Sequence, residues 1–394
     1  MSQEHHTEDY ADIRDAVAKL CSQFPGEYWR KLDREMAYPK AFVDALTEAG
    51  YLSVLIPEEY GGAGLKLSAA AAILEEIQRA GCNGGGCHAQ MYTMGTVLRH
   101  GNDEQKAKYL PKIASGELRL QAFGVTEPTS GTDTSSLKTF ARKDGNDSYI
   151  VNGQKIWTSR AEHSDLMILL ARTNPDAQRK YDGLSFFLAP MTVPGVDTVP
   201  IRKLTGEYGF TQTFFTDARI PATTLMGGEG KGWQVAMRTL EYERGARGGQ
   251  AGGYVMVYPD VSKVVDLAKR AMRNGRPAFD DPAIRERLVK LLTTYRGLKL
   301  NSTRALIAPL VRDRPLSLPL SAKLVRSEFY REINQLAMAM QGPHGAYYVG
   351  EPEAYDDAIW QRSYLNSFSA TIGGGTSQIQ HNIIGEHVLG LPKS

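Results

Sequence analysis

The sequence predicts an α+β chain, mostly helical, in which an N-terminal helical domain and a C-terminal helix bundle flank a middle antiparallel β sandwich or barrel. Three observations predict it. Apolar residues recur at helical spacing before residue 120, short β-rich runs divided by Pro, Gly and Asp turns fill the middle, and long helical patterns resume after Gly230. The expected boundaries are 1–120, 121–228 and 229–394. With 394 residues the chain has room for two or three substantial cores.

Taken in order, Tyr10, Ile13, Val17, Leu20 and Phe24 form the first amphipathic stripe. Phe42 and Leu46 lie on a second helix closed by Gly50, a residue suited to the left-handed cap. Residues 67–80 make a third, stopped by Gly81. Beyond it Met91, Tyr92 and Met94 continue a helical pattern. Cys87 and His88 could be mistaken for a nucleophile and its base, but adjacent residues point to different helix faces, and the reading here is structural. The β-rich runs are DLMILLAR, GLSFFLAP, VDTVPI and TQTFFTDARIP. Helices are then expected over Lys231 to about Tyr258, Pro282 to Val311, Leu320 to Gln341 and Ser377 to Leu389.

Composition excludes several classes of function. The net charge of +2 gives no basic field for nucleic acid. Three cysteines without metal-like pairing argue against a disulfide framework or a zinc site. No apolar run of membrane-spanning length appears, and the acidic opening MSQEHHTEDYADIRD is unlike a transit peptide, so the expected location is cytoplasmic.

The stretch Gln121 to Ser159 organises the chain. A buried-strand pattern at Phe123-Gly124-Val125 leads into a loop crowded with Thr, Ser and Gly. Asn152-Gly153 then stands between two alternating runs, a strong hairpin signal because both turn positions need positive φ. Such a hairpin brings Trp157 and Thr158 back beside Val125 and Thr126. An aromatic wall with several hydroxyls and backbone N–H groups suits a planar, hydrogen-bonding ring with a phosphate tail; a plain polar loop on a sheet is the alternative reading.

TEPTSGTD followed by NGQKIWTS resembles the flavin-binding core of the acyl-CoA dehydrogenase family, and the likeness runs from LIPEEYGGAGL through HGNDEQKAKYLPKIASGE to GGTSQIQHNIIGEHVLGLP. The resemblance implies FAD as cofactor, an acyl-CoA substrate dehydrogenated at Cα–Cβ, an electron-transfer flavoprotein as electron acceptor, and a homotetramer, with a mixed tetramer as the variant form. It implies that Phe123, Val125, Thr126, Trp157 and Ser159 line the isoalloxazine ring, with Thr158 between the last two, and that Thr132 stands near the thioester. It also places the helix of Met91, Tyr92 and Met94 against the acyl chain, although plain core packing explains those residues equally well.

Dehydrogenation at Cα–Cβ needs a carboxylate in a dry pocket to take the α-proton, and donors for the thioester oxygen as enolate charge develops. The commonest family arrangement carries that carboxylate as Glu in an E-G-T triplet; here the triplet reads Gly374-Gly375-Thr376, so this base is absent. Thr376 and Gln378 still match flavin-contacting positions, and Gly374 can still offer its N–H to substrate. Ser377 with Gln380 fits a capping box at a helix start.

A replacement base is visible. Trp233, Ala236, Met237 and Leu240 form an apolar stripe that continues to Glu243 and Arg244 rather than to Glu241. Some branches of the family carry their catalytic Glu at this helix position, and Arg244 matches an Arg kept beside the active site. A simple ion pair of Glu243 with Arg247 is the competing reading. The segment Arg273 to Pro277 lacks the aromatic residue of the R-x-F-G pattern that contacts FAD across subunits in many relatives, so no such contact is assigned. Two rivals remain: a non-dehydrogenating relative such as a desulfinase or enoyl-CoA reductase, and a flavin-binding but catalytically silent subunit.

Overall fold

The computed structural model describes residues 10–35, 37–243, 261–305 and 317–393. They form two compact units, one ending at Glu243 and one beginning at Val261. The mostly helical chain with one central sheet matches the predicted class.

The first unit opens with α1 (Ala11–Cys21), α2 (Gly26–Glu35), α3 (Lys40–Glu48), α4 (Leu67–Arg79), α5 (Gly85–His100) and α6 (Asp103–Ser115). The apolar stripes read from the sequence do pack together. Val17 of α1, Phe42 and Leu46 of α3, and Ile73 and Ile77 of α4 share one buried cluster. Gly50 and Gly81 take positive φ beyond α3 and α4, as expected of residues that end helices. α2 was not expected. α6 begins with a capping box between Asn102 and Gln105, and the Gln105 amide also reaches the carbonyls of Thr223 and Leu225 at 2.7 and 2.9 Å, fastening this helix to the sheet.

The sheet contains β1 (Leu120–Gly124), β2 (Phe140–Asp144), β3 (Ser148–Ser159), β4 (Leu166–Arg172), β5 (Leu184–Pro190), β6 (Val196–Ile201), β7 (Phe210–Pro221) and β8 (Leu225–Met226). The order is β6-β7-β3-β2-β4-β5-β8, with β1 on β4. All four β-rich runs are strands. Most pairings are antiparallel, but β1 and β2 each meet β4 in parallel. β4 shows why its sequence is an unbroken apolar run. Ile168 and Leu170 face a core shared with α5 and α6, while Met167, Leu169 and Ala171 join Tyr149, Val151, Phe215 and Ile220 of β3 and β7. A sheet whose two halves share an apolar layer is folded over on itself, so both faces of β4 are covered. α7 (Gly232–Glu243) follows, with Val235 and Ala236 buried against the helix-side core.

The expected hairpin at Asn152-Gly153 is not there. The β2–β3 turn lies earlier, around Gly145, and Asn152-Gly153 sits inside β3. The register against β7 slips between Val151 and Gly153, and the Asn152 amide exchanges two 2.9 Å hydrogen bonds with Asp217 opposite. Positive φ at Gly153 therefore serves a β-bulge, the other common use of a strand glycine.

The second unit holds α8 (Val261–Arg270), a small hairpin of β9 (Met272–Arg273) and β10 (Arg276–Pro277), then α9 (Pro282–Ala305), α10 (Ser317–Gln341), α11 (Ile359–Ala370) and α12 (Ser377–Ile383). The Asn-Gly rule does hold here, since Asn274 and Gly275 take φ of 52° and 75° in a two-residue turn. α8, α9, α10 and Trp360 of α11 share one buried core. The helix expected over Lys231 to about Tyr258 is helical to Glu243; the remainder lies outside the described residues, as does the expected end of the Pro282–Val311 helix. Among the described residues no helix is long and apolar enough to cross a membrane.

Candidate functional site

The site residues of the first unit gather where the end of β1 and its following loop meet the end of β3. Phe123 is the fourth residue of β1, and its ring lies 6.0 Å from Phe186 and 6.3 Å from Tyr92. The chain then leaves the sheet through Val125 and Thr126, both half-buried, into a turn over Glu127-Pro128-Thr129-Ser130 closed by two 3.1 Å backbone hydrogen bonds. Proline as the second residue pre-sets that turn. Thr132 follows on an exposed segment.

Across from this loop, the Ile156 N–H donates to the Thr126 carbonyl at 2.9 Å. The two expected arms do meet, although a bulged strand and not a hairpin brings them together. A second register slip between Lys155 and Thr158 decides which way Trp157 points. Strict alternation puts residue 157 on the same inward face as Val151 and Lys155; with the slip, Trp157 takes a φ of 62°, is 54% exposed, and Thr158 is buried instead. An exposed tryptophan in a left-handed conformation is costly, and such strain concentrates where a site needs a side chain aimed. Phe210 of β7 braces the indole edge-on at 6.0 Å. Ser159 is half-buried beside it.

Beneath the surface lies an arrangement that sequence reading missed. Lys155 is fully buried and its ammonium bonds Glu127 at 2.8 Å and the Val125 carbonyl at 3.2 Å. The Glu127 carboxylate also accepts the N–H groups of Lys138 and Thr139 at 2.6 and 2.8 Å. Burial alone would raise the Glu127 carboxyl, but Lys155 and these N–H groups outweigh it and hold it below the usual carboxylate range. Burial pushes the Lys155 ammonium down to about 8, with Glu127 pulling the other way. A signal existed: lysine at an inward-facing strand position needs a buried partner, and Glu127 is the acid of the facing loop.

Helix α5 passes behind Phe123. Met94 is core, and Met91 and Tyr92 also line a cavity of about 200 Å³ between α4 and α5, walled by Leu55, Leu74 and Leu98, with His88 and Arg99. Cys87 is buried and inert, its thiol pushed up to about 12 by burial. Burial, with Arg160 adding, pushes the His88 imidazole down to about 4. A thiol and an imidazole tuned this far from activation do not make a nucleophile pair.

Glu243 is the last residue of α7; its side chain, and all of Arg244, lie outside the described residues. In the second unit Gly374 and Gly375 take φ of 66° and 94°. The helix start predicted there is real but its cap is shifted by one residue. Thr376, not Ser377, caps α12 by accepting the Ile379 N–H at 3.2 Å, which frees the Ser377 hydroxyl to donate to Glu328 at 2.6 Å. The Gln380 amide turns back to the Gly374 carbonyl at 3.2 Å, and Lys323 holds the Gly375 carbonyl at 2.9 Å. Gln378 is exposed.

The residues of the first unit therefore fit a planar aromatic group with hydrogen-bonding edges: apolar rings at Phe123 and Trp157, hydroxyls at Thr126 and Ser159, and a polar loop alongside. Comparison with known proteins bears on what that group is. Residues 7–117, 122–220 and 230–389 match the models described as acyl-CoA dehydrogenase N-terminal, middle and C-terminal domains. The chain is 38% identical over 355 residues to acyl-CoA dehydrogenase IpdE1 of Mycobacterium tuberculosis (strain ATCC 25618 / H37Rv), covering 90% of this chain and 88% of that protein. Among solved structures it resembles the Tcur3481-Tcur3483 steroid ACAD, with a TM-score of 0.81, 28% identity and 98% of each chain covered. It also resembles the ChsE4-ChsE5 complex from Mycobacterium tuberculosis, with a TM-score of 0.80, 26% identity and 100% of each chain covered.

Proposed function

The chain belongs to the acyl-CoA dehydrogenase family, matched across all three of its domain models, and from that premise we propose that it binds FAD at the Phe123–Trp157 wall and dehydrogenates a bulky acyl-CoA at Cα–Cβ. It is an oxidoreductase of that family. The observation that carries the cofactor reading is Trp157, an exposed indole held at a φ of 62° beside Thr126. FAD, when bound there, supplies the electron acceptor. Phe123, Val125, Thr126, Trp157, Thr158 and Ser159 hold it, with Thr376 and Gln378 assigned to the same role. The matched ranges support a three-part division at 1–120, 121–228 and 229–394.

Glu243 is the α-proton base in this reading. The Gly374 position has no side chain to remove a proton, and the apolar stripe of α7, in which Val235 and Ala236 are buried, runs toward Glu243 about two turns on. Thr132, Arg244 and Gly374 serve the thioester end, Gly374 through its backbone. Support for a bulky acyl group is the cavity beside Tyr92, whose ring neighbours Phe123, together with a relative named as a steroid enzyme. Electrons leave through an electron-transfer flavoprotein, and the assembly is a tetramer. The paired chains named in two relatives favour a mixed tetramer as a second form of that proposal, the one in which this chain needs a different partner.

Purified protein should be yellow, and anaerobic addition of acyl-CoAs of increasing bulk should bleach the flavin band. Glu243→Gln should leave FAD and acyl-CoA binding intact while slowing flavin reduction by at least ~10²-fold, the low end for loss of a general base. Equal and small effects from Glu243→Gln and Glu241→Gln refute the base. A colourless protein that added FAD cannot convert refutes the cofactor reading. Light scattering on the chain alone, then with a co-expressed homologue, separates the two forms of tetramer.

A further inference from the structure

Lys155 is the one fully buried lysine among the described residues, and its charge does not touch the surface where the cofactor is placed. Desolvating an ammonium is costly unless its charge and its hydrogen bonds are met; here the charge is met and two of the three N–H donors are paired. Glu127 supplies the opposite charge at 2.8 Å, and two backbone N–H groups fix that carboxylate from the other side. Burial lowers the Lys155 ammonium while Glu127 pulls it back up, and Lys155 with the two N–H groups holds Glu127 low.

The second hydrogen bond of the ammonium goes to the Val125 carbonyl, at 3.2 Å. That bond has a directional consequence. A trans peptide is planar, so the N–H of the next residue points opposite to the carbonyl. With the Val125 carbonyl drawn inward to Lys155, the Thr126 N–H is directed outward, away from the sheet interior. The Thr126 carbonyl is itself fixed by the Ile156 N–H, one residue before Trp157. A single buried side chain thus sets the peptide plane where the chain leaves β1, and the strand that carries this side chain also carries Trp157.

We propose that Lys155, locked by Glu127, is a positioning residue for the cofactor: it aims the Thr126 N–H at the polar edge of the flavin ring. The inference rests on the FAD reading above. It separates from a merely structural role because a buried ion pair can be replaced as a whole at little cost in stability, whereas breaking it from one side strands a charge.

The test uses the full chain, with FAD as the probe and binding and absorbance as readouts. The double variant Lys155→Met, Glu127→Gln should stay folded with a modest loss of stability, since Gln offers one acceptor oxygen to the two N–H groups of Lys138 and Thr139. Its FAD affinity should nonetheless fall about tenfold or more, the factor one well-aligned hydrogen bond carries, and its visible flavin bands should shift. Lys155→Arg keeps the charge but replaces a point donor by a planar fork, and should weaken FAD in the same direction. This variant decides the matter if the double variant does not fold. Parent-like affinity and spectrum in a folded variant overturn the proposal and leave the pair a structural one. A parent protein that takes up no FAD overturns the cofactor reading itself, an outcome distinct from equal uptake by parent and variant.

Discussion

Gly153→Ala is the perturbation that tests whether the first bulge of β3 sets the site. Gly153 has a φ of 146°, and an added Cβ would stand 2.6 Å from both Cα and Oγ1 of Thr139. Thr139 cannot retreat. It is 1% exposed, its N–H is held by Glu127 at 2.8 Å, and its carbonyl accepts the Arg172 N–H at 2.8 Å. Overpacking of a fixed neighbour costs about 1–3 kcal/mol. The backbone conformation adds about 1–2 kcal/mol for a residue with a side chain. Together the loss should be about 2–5 kcal/mol. Gly145→Ala in the β2–β3 turn is the internal control. Gly145 also has positive φ, 65°, but no atom lies within 4 Å of its would-be Cβ, so only the backbone part, about 1–2 kcal/mol, applies. Urea midpoints measured side by side give the difference, and FAD titration of both variants shows whether the loss reaches Trp157 four residues on. Equal losses in the two variants, or a destabilised Gly153→Ala that binds FAD as tightly as Gly145→Ala, refute the reasoning.

Three further outcomes follow from particular side chains. The folded chain keeps His88 neutral down to about 4, while the unfolded chain protonates it near ~6.5; between those values the unfolded state binds the extra proton, so stability falls as pH falls through that window. His88→Gln should remove part of the drop in urea midpoint between pH 7 and pH 5, and an unchanged drop counts against the buried neutral imidazole. Cys21, Cys82 and Cys87 are all buried, so a thiol reagent at neutral pH should find none within minutes in the native protein and all three in denaturant; prompt native labelling contradicts this packing. Asn102→Ala should cost about 1 kcal/mol for the lost cap, and Gln105→Ala more, because its amide also holds two carbonyls beyond β7. Equal losses by denaturant titration contradict that tie.

What was legible in the sequence followed from periodicity. The stripe of Val17, Phe42, Leu46, Ile73 and Ile77 became one core, and the apolar runs became β4 and β5. What was not legible turned on contacts remote in sequence. Asn152-Gly153 and Asn274-Gly275 are the same dipeptide; one is a turn, the other a bulge tied to Asp217, which lies 65 positions away. Helix α11 carries no strong start signal, entering through Asp356, Asp357 and Ala358 at positive φ, and is held by burial of Trp360 in the second unit's core. The meeting of the Val125-Thr126 segment with the end of β3 was readable as a motif, yet the direction of Trp157 depends on a register slip that no alternation rule reveals. Lys155 passed as an ordinary flanking residue because its partner Glu127 precedes it by 28 positions.

The strand order has a consequence for how copies of this chain can associate. At one end of the sheet path stands β6, where Pro200 lacks an N–H and Asp197 is exposed; at the other stands β8, only two residues long. Among the described strands, β8 is too short and β6 is interrupted by Pro200, so strand pairing at these two ends is disfavoured. At these two ends, association of copies through helical and loop surfaces is therefore favoured over strand pairing.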